Sequence, residues 1–277
     1  MSYKSILTVV TSPEAPQLST AVDIARAEDA HLAVLSLGID RTQNEYYYAG
    51  ATAMVSPETL QYAQRDAKAC DDAVKAQLNS EDIRWSSDAA VAQLGAIGSI
   101  VGFRSRFADL VVQTRPYGKT GGSDTEAIIE AAMFEGHAPV LVLPDGFKGN
   151  PFGKRIVLAW NQSEEALAAA KAALPLLKRA ALVDITVIDP PKHGPERSDP
   201  GGHLSQYLAR HGVKAEISVL ARTLPRVSEI LNRHARDIDA DMLVMGAYGH
   251  SRFREAILGG ATRNMLEMAD LPVMMAH

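Results

Sequence analysis

The chain has 277 residues, which is enough for one large or two modest domains with ample core. With 47% apolar residues, 22% charged residues and a net charge of −5, it has no general electrostatic reason to bind nucleic acid or an anionic membrane. No apolar run approaches the roughly 18 residues of a membrane span, and the single cysteine, Cys70, excludes an internal disulfide. Met1 to Lys4 lead straight into a strand without a signal-peptide core, so a cytoplasmic location is expected.

Ser5 to Val10 reads as a buried strand, short, apolar and β-branched, stopped by Thr11, Ser12 and Pro13. Leu18 to Glu28 places Leu18, Ala21, Val22 and Ala25 at helical spacing, and His31 to Leu37 is a second strand. Gly38 to Ser56 reads as a polar loop containing Tyr46, Tyr47 and Tyr48, whose surroundings lack the basic residues of a nucleic-acid site. Pro57 then opens a long helix to about Leu78, proline being favoured in a first helical turn. Cys70 lies within that pattern and reads as a small core or surface residue rather than a nucleophile. A strand at Ile83–Ala89, a helix at Leu94–Phe103 and a strand at Asp109–Gln113 follow. A glycine-bearing loop from Gly118 to Ser123, a helix at Glu126–Phe134 and a strand at Pro139–Leu143 close this half.

Pro144 to Gly153 is rich in glycine and proline, and after it the pattern restarts. Lys4 to Val10 corresponds to Lys154 to Trp160 at a shift of 150 residues. Ala108 to Val112 corresponds to Ala240 to Val244 at 132, and Pro139 to Pro272 at 133. The chain therefore divides into two copies of one domain, 1–145 and 154–277, joined by a linker at 146–153. The second copy is about 18 residues shorter after Asp189, where a proline-rich turn and a brief helix from His203 to Arg210 replace a loop and a long helix. Strands alternating with helices imply an α/β fold: two doubly wound domains, each a five-stranded parallel sheet in the order 3-2-1-4-5. Ligands of such sheets bind at the carboxyl ends of the strands where the order switches, here between the first and fourth strands of a half. In the second half those ends are Ala159 to Ser163 and Met245-Gly246.

The same place carries the most distinctive stretch of the chain. The apolar run Met242 to Met245 ends at Gly246, Gly249 follows, and Gly259 and Gly260 precede a helical pattern from Thr262 to Ala269 and a strand from Pro272 to Ala276. Strand, glycine loop and helix is the layout in which backbone N–H groups and a helix N-terminus cradle phosphate. Gly246 and Gly249 permit positive φ and close backbone approach, while His250, Arg252 and Arg254 add positive charge. The plain alternative is that these glycines only make turns, and that His250 only meets solvent. Trp160 at the strand end reads as a packing residue before it reads as a base-stacking platform, and Ser163 as a helix N-cap ahead of Glu164 and Glu165.

Other chemistry is thin. Gln113 to Thr120 looks like a P-loop whose first glycine is replaced by Gln113, but Pro116 removes an amide donor and the segment follows a fourth strand. No Gly-x-Ser-x-Gly elbow is present, and the eight histidines show no metal-ligand spacing, so neither a catalytic residue nor a metal site is expected.

Assembled, these residues resemble the universal stress protein family, and the whole chain is similar to its tandem two-domain form. The family's loop is Gly-x-x-Gly, nine residues, then Gly-Ser or Gly-Thr; Gly246 to Gly249, His250 to Leu258 and Gly259 match it. The resemblance implies binding of ATP, or of AMP or ADP, as a ligand in the second half, with magnesium accompanying the phosphates. It implies roles for Ala159, Trp160, Asn161 (at a ribose-contacting aspartate), Ser163, Val187 (an adenine-contacting strand end), Met245, Gly246, Gly249, His250, Gly259, Gly260, Ala261 and Thr262. Two departures stand out. Gly260 lacks the hydroxyl of the motif, for which Thr262 could partly substitute, and Asn161 lacks the aspartate charge. The first half lacks the loop, with Thr114 and Tyr117 among the residues replacing glycines, and is expected to be a degenerate partner. The resemblance further implies that the final strands of the two halves pair across a pseudo-twofold within one chain, which would cover two sheet edges. The expected function is a nucleotide-binding stress-response or regulatory protein. A protein-interaction module of the same fold without nucleotide is the alternative reading, and an enzyme of a related nucleotide-handling fold is a third.

Overall fold

A computed structural model describes residues 2–41, 57–117, 122–149, 151–190, 198–247 and 260–277. The first half runs β1 (Ser5–Val10), α1 (Gln17–Glu28), β2 (His31–Asp40), α2 (Pro57–Leu78), β3 (Arg84–Gln93), a 3-10 turn (Leu94–Ala96), α3 (Ile97–Ser105), β4 (Leu110–Thr114), α4 (Ser123–Phe134) and β5 (Val140–Leu143). The second runs β6 (Arg155–Trp160), α5 (Glu164–Ala172), α6 (Leu174–Leu177), β7 (Leu182–Ile188), α7 (Gly202–Arg210), β8 (Ala215–Leu220), α8 (Val227–Asp237), β9 (Met242–Gly246), α9 (Ala261–Met268) and β10 (Val273–Ala276).

The inner strands are apolar throughout because both faces of the sheet are covered. Ile6 and Val10 pack on one side of β1 and Leu7 and Val9 on the other, while the buried Thr8 hydroxyl donates to the Val112 carbonyl at 2.8 Å. The ten strands form one sheet in the order β3-β2-β1-β4-β5-β10-β9-β6-β7-β8. Each half therefore has the predicted 3-2-1-4-5 order. Every pairing is parallel except the junction, where β5 and β10 run antiparallel with Val142 opposite Val273, Leu141 opposite Met274 and Val140 opposite Met275. Both apolar layers continue across that junction: Tyr3 of the first half donates its hydroxyl to the Ala172 carbonyl of the second at 2.9 Å.

The repeat has a shared physical anchor. Asp109 accepts the backbone N–H groups of Lys4 and Ser5 at 2.7 and 3.0 Å, and Asp241 accepts those of Lys154 and Arg155 at 2.7 and 3.0 Å. In each half one carboxylate, just ahead of the fourth strand, ties down the start of the first.

The strand β2 runs past the loop boundary expected at Gly38. β2 continues through Gly38, Ile39 and Asp40, laddered to Val91, Ala92 and Gln93 of a β3 that likewise outruns the expected Ala89. Gly38 is a strand residue chosen for its size: a Cβ there would collide with the Ala63 carbonyl of α2. The buried stripe of α2, Ala63, Ala67, Cys70, Val74 and Leu78, starts small where that strand approaches. Burial, and secondarily the Asp66 charge, push the Cys70 thiol up to about 11, in keeping with a packing role. The helix expected at Leu94 starts as the 3-10 turn and extends to Ser105. Tyr46, Tyr47 and Tyr48 lie outside the described residues. No helix among the described residues is long and apolar enough to cross a membrane.

Candidate functional site

The switch in strand order in the second half lies between β6 and β9, with Leu158 opposite Val244 and Trp160 opposite Val187 of β7. Three chain segments with predicted site residues thus meet at the carboxyl ends of adjacent strands, Ala159 to Ser163, Val187 and Met245-Gly246, and α9 opens at Gly260. Gly249, His250 and Gly259 lie outside the described residues.

The turn after β6 is built by its own side chains. Asn161 Oδ1 accepts the Ser163 N–H at 3.1 Å, Gln162 takes a left-handed φ of 64°, and Ser163 Oγ accepts the Ala166 N–H at 3.1 Å. Ser163 is therefore the N-cap of α5, as its position before Glu164 and Glu165 suggested. The Asn161 side-chain oxygen is thus engaged in the turn itself. Trp160, Val187 and Met245 are buried and belong to the core, while Ala159 is half-buried.

Gly246 serves a purpose other than positive φ. A Cβ at this position would stand 2.5 Å from the Ala166 amide nitrogen and 2.6 Å from the Glu165 carbonyl carbon. The end of β9 thus lies directly against the first turn of α5, and glycine is required for that contact before any ligand is considered. At the other stem, Gly260 caps α9 in an extended conformation with no side-chain bond, and its carbonyl accepts the Asn264 N–H at 3.0 Å. The first turn of α9 carries no acidic residue, which leaves its partial positive charge available to an anion. Thr262, the residue that could restore the hydroxyl missing at Gly260, is buried.

The equivalent crevice of the first half is filled. Gln17 Nε2 donates to the Val9 carbonyl at 3.1 Å and to Gln113 Oε1 at 3.2 Å, and Gln113 Nε2 donates to the same carbonyl at 3.1 Å. What remains is a cavity of about 30 Å³ beside Thr11, Ser12, Thr114 and Thr125, room for about one water molecule. The helix that follows, α4, begins with its own anions: Asp124 and Glu126 occupy its first turn, Asp124 paired with Arg41 and Glu126 with the Tyr117 hydroxyl. Gln113, the residue that spoils the P-loop likeness, is one of the two plugs.

Two sets of polar contacts were not anticipated from the sequence. Asp184, buried on β7, accepts from Thr186 Oγ1 and Ser218 Oγ at 2.5 Å and pairs with His234 Nε2 at 3.0 Å, tying β7 and β8 to α8. Arg115 and Tyr117 reach from the first half to α9. Both sets depend on partners far away in the chain, and no local pattern marks them.

The architecture defines a class: a tandem of doubly wound α/β units fused through their last strands, with one crevice plugged and the other ending in a glycine loop. Residues 153–277 match the sequence model of the Universal stress protein family. The second half thus matches the universal stress protein family, and the first half shares the same fold. A stretch of 73 residues is 33% identical to Universal stress protein Slr1230 of Synechocystis sp. (strain ATCC 27184 / PCC 6803 / Kazusa), covering 26% of this chain and 24% of that relative. The match thus spans about a quarter of that relative's length. Over the whole chain the fold resembles the crystal structure of a universal stress protein from Archaeoglobus fulgidus DSM 4304, with a TM-score of 0.70 at 14% identity, covering 98% of this chain and 95% of that one. It also resembles a Pseudomonas aeruginosa UCBPP-PA14 structure described under the same family, with a TM-score of 0.63 at 16% identity over 99% and 93% of the two chains.

Proposed function

We propose that the second half binds one adenine nucleotide, ATP or its ADP or AMP relatives, as a regulatory ligand of a stress-response protein. The observation that carries this reading is a coincidence of three features in one half. The spacing Gly246-x-x-Gly249, nine residues, Gly259 occurs at the switch between β6 and β9 and within residues 153–277 that match the family. The contrast with the first half supports it, since there the same crevice is filled by Gln17 and Gln113 and the helix supplies its own carboxylates. Adenine would lie toward Val187, ribose toward Asn161 and phosphates toward Gly260 and Ala261. Magnesium would arrive with the phosphates. The ligand is read as a signal rather than as a substrate for rapid turnover.

A second reading, an interaction module that binds no nucleotide, is favoured by Gly260. A missing hydroxyl bond to a charged phosphate costs about 1.5–3 kcal/mol, or about one to two decades of affinity. Calorimetric titration of the full chain with ATP, ADP and AMP separates the two. Saturable binding at one site per chain, abolished by Gly259→Asp, is the expected result. No heat at millimolar nucleotide, or unchanged binding in Gly259→Asp, would reject the proposed site.

A further inference from the structure

The first half touches the returning stem of the glycine loop directly and the outgoing stem through His277. At the outgoing stem, Ala247 follows β9; its N–H donates to the Ala276 carbonyl at 2.8 Å and its carbonyl accepts from His277 Nδ1 at 3.0 Å. The His277 ring packs edge-on against Phe134, the last residue of α4, with centroids 4.7 Å apart. At the returning stem, the Arg263 guanidinium in the first turn of α9 lies over the Tyr117 ring at 5.4 Å and pairs with Glu267 at 3.0 Å. The Tyr117 hydroxyl is tied to Glu126 of α4. At the far end of α9, Arg115 donates to the Ala269 carbonyl at 3.4 Å while paired with Asp145 at 2.9 Å, and its own backbone N–H is fixed to the Leu143 carbonyl at 2.9 Å.

These contacts share an unusual placement. An arginine in the first turn of a helix opposes the helix dipole, and α9 has no acid there to offset it. The aromatic face of Tyr117 and the carboxylates of Glu126 and Glu267 supply that compensation, and two of the three belong to the other half. Tyr117 also stands 132 residues before Gly249, the shift that relates the fourth strands of the two copies. The first half has thus turned the position of its own loop glycine into a contact with its neighbour.

We infer that the first half braces α9, with Tyr117 and Arg115 as positioning residues that set this helix and hence the phosphate end of the proposed site. The consequence for ligand affinity rests on the nucleotide reading above; the brace itself does not. Two measurements on the full-length chain keep them apart. Amide hydrogen exchange over residues 261–268 is compared in the unmodified chain, Tyr117→Ala, Tyr117→Phe and Arg115→Met. Loss of a cation–aromatic contact corresponds to about a threefold to tenfold effect, so exchange in Tyr117→Ala should rise by that factor. Tyr117→Phe keeps the ring under Arg263 and should recover most of the protection. Calorimetry then uses ATP and adenosine as probes. Tyr117→Ala should weaken ATP by a similar factor while leaving adenosine, which lacks phosphates, within about twofold. A general loss of structure would weaken both probes alike and would count against the positioning role. Unchanged exchange in Tyr117→Ala and Arg115→Met would overturn the brace. If the unmodified chain binds neither probe, the nucleotide reading fails, and the exchange data alone decide whether α9 is braced.

Discussion

Replacing Gly246 with alanine puts one methyl group into the first turn of α5. The new Cβ would stand 2.5 Å from the Ala166 nitrogen, 2.6 Å from the Glu165 carbonyl carbon and 2.9 Å from the Glu165 Cβ. Two of these atoms are backbone and cannot rotate away, so α5 or β9 must shift by about 1 Å to restore ordinary contact. Overpacking of this kind costs about 1–3 kcal/mol. Converted at about 2–4 °C per kcal/mol for a chain of this size, the midpoint of thermal unfolding should fall by roughly 2–12 °C without any ligand present. Differential scanning calorimetry of Gly246→Ala in nucleotide-free buffer is the assay. A midpoint within 1 °C of the unmodified chain, with ligand affinity lost instead, would mean that this glycine makes room for ligand rather than for the helix.

Three further outcomes follow from the geometry. The two tryptophans divide between the halves, Trp85 on β3 and Trp160 on β6, so Trp85→Phe and Trp160→Phe each leave a reporter in one half. Because both apolar layers cross the β5–β10 junction, the two reporters should unfold at the same urea midpoint; separate midpoints would show two independent units. Burial alone would raise the Asp71 carboxyl, but hydrogen bonds from Lys75 and Ser87 and the Lys75 and Lys68 charges outweigh it and hold the group below the usual carboxylate range. Its contribution is therefore complete above an unfolded pKa of about 3.9 and fades as pH falls through the lower folded value. The stability gap between the unmodified chain and Asp71→Asn should narrow below about pH 4, and a gap that stays constant in urea titrations down to pH 2.5 would refute this. Finally, Ser163→Ala removes the N-cap of α5 and should cost about 1 kcal/mol, measurable as a shift in urea midpoint at unchanged slope.

Much of the architecture could be read from local pattern. Lys4 and Lys154 recur, as do Asp109 and Asp241, because in both halves a carboxylate before the fourth strand holds the first strand's opening amides. The N-cap at Ser163 was legible for a similar reason, since cap and capped amide lie within three residues. Gly38 misled because an isolated glycine after an apolar run looks like a turn signal, whereas its reason lies in Ala63, on a helix that folds back over the strand. Gly246 looked like a place for ligand, and the structure adds a packing reason for glycine there, the close approach of α5. The plug of Gln17 and Gln113 joins residues 96 positions apart, and the Tyr117–Arg263 contact joins the two copies. Side-chain partnerships at that separation leave no periodicity to detect. Absent glycines marked the first half as degenerate, and only the structure shows what occupies the space instead.

The junction of β5 and β10 has a consequence for dosage. Three facing residue pairs form a short strand contact, and two separate chains meeting there would need sufficient concentration to stay together. Here the short segment from Leu143 to Arg155 joins the two halves, and a short tether gives an effective concentration on the order of millimolar. The pairing of the two halves therefore does not depend on how much protein the cell contains. A chain present at low copy number would keep its two halves paired as fully as an abundant one.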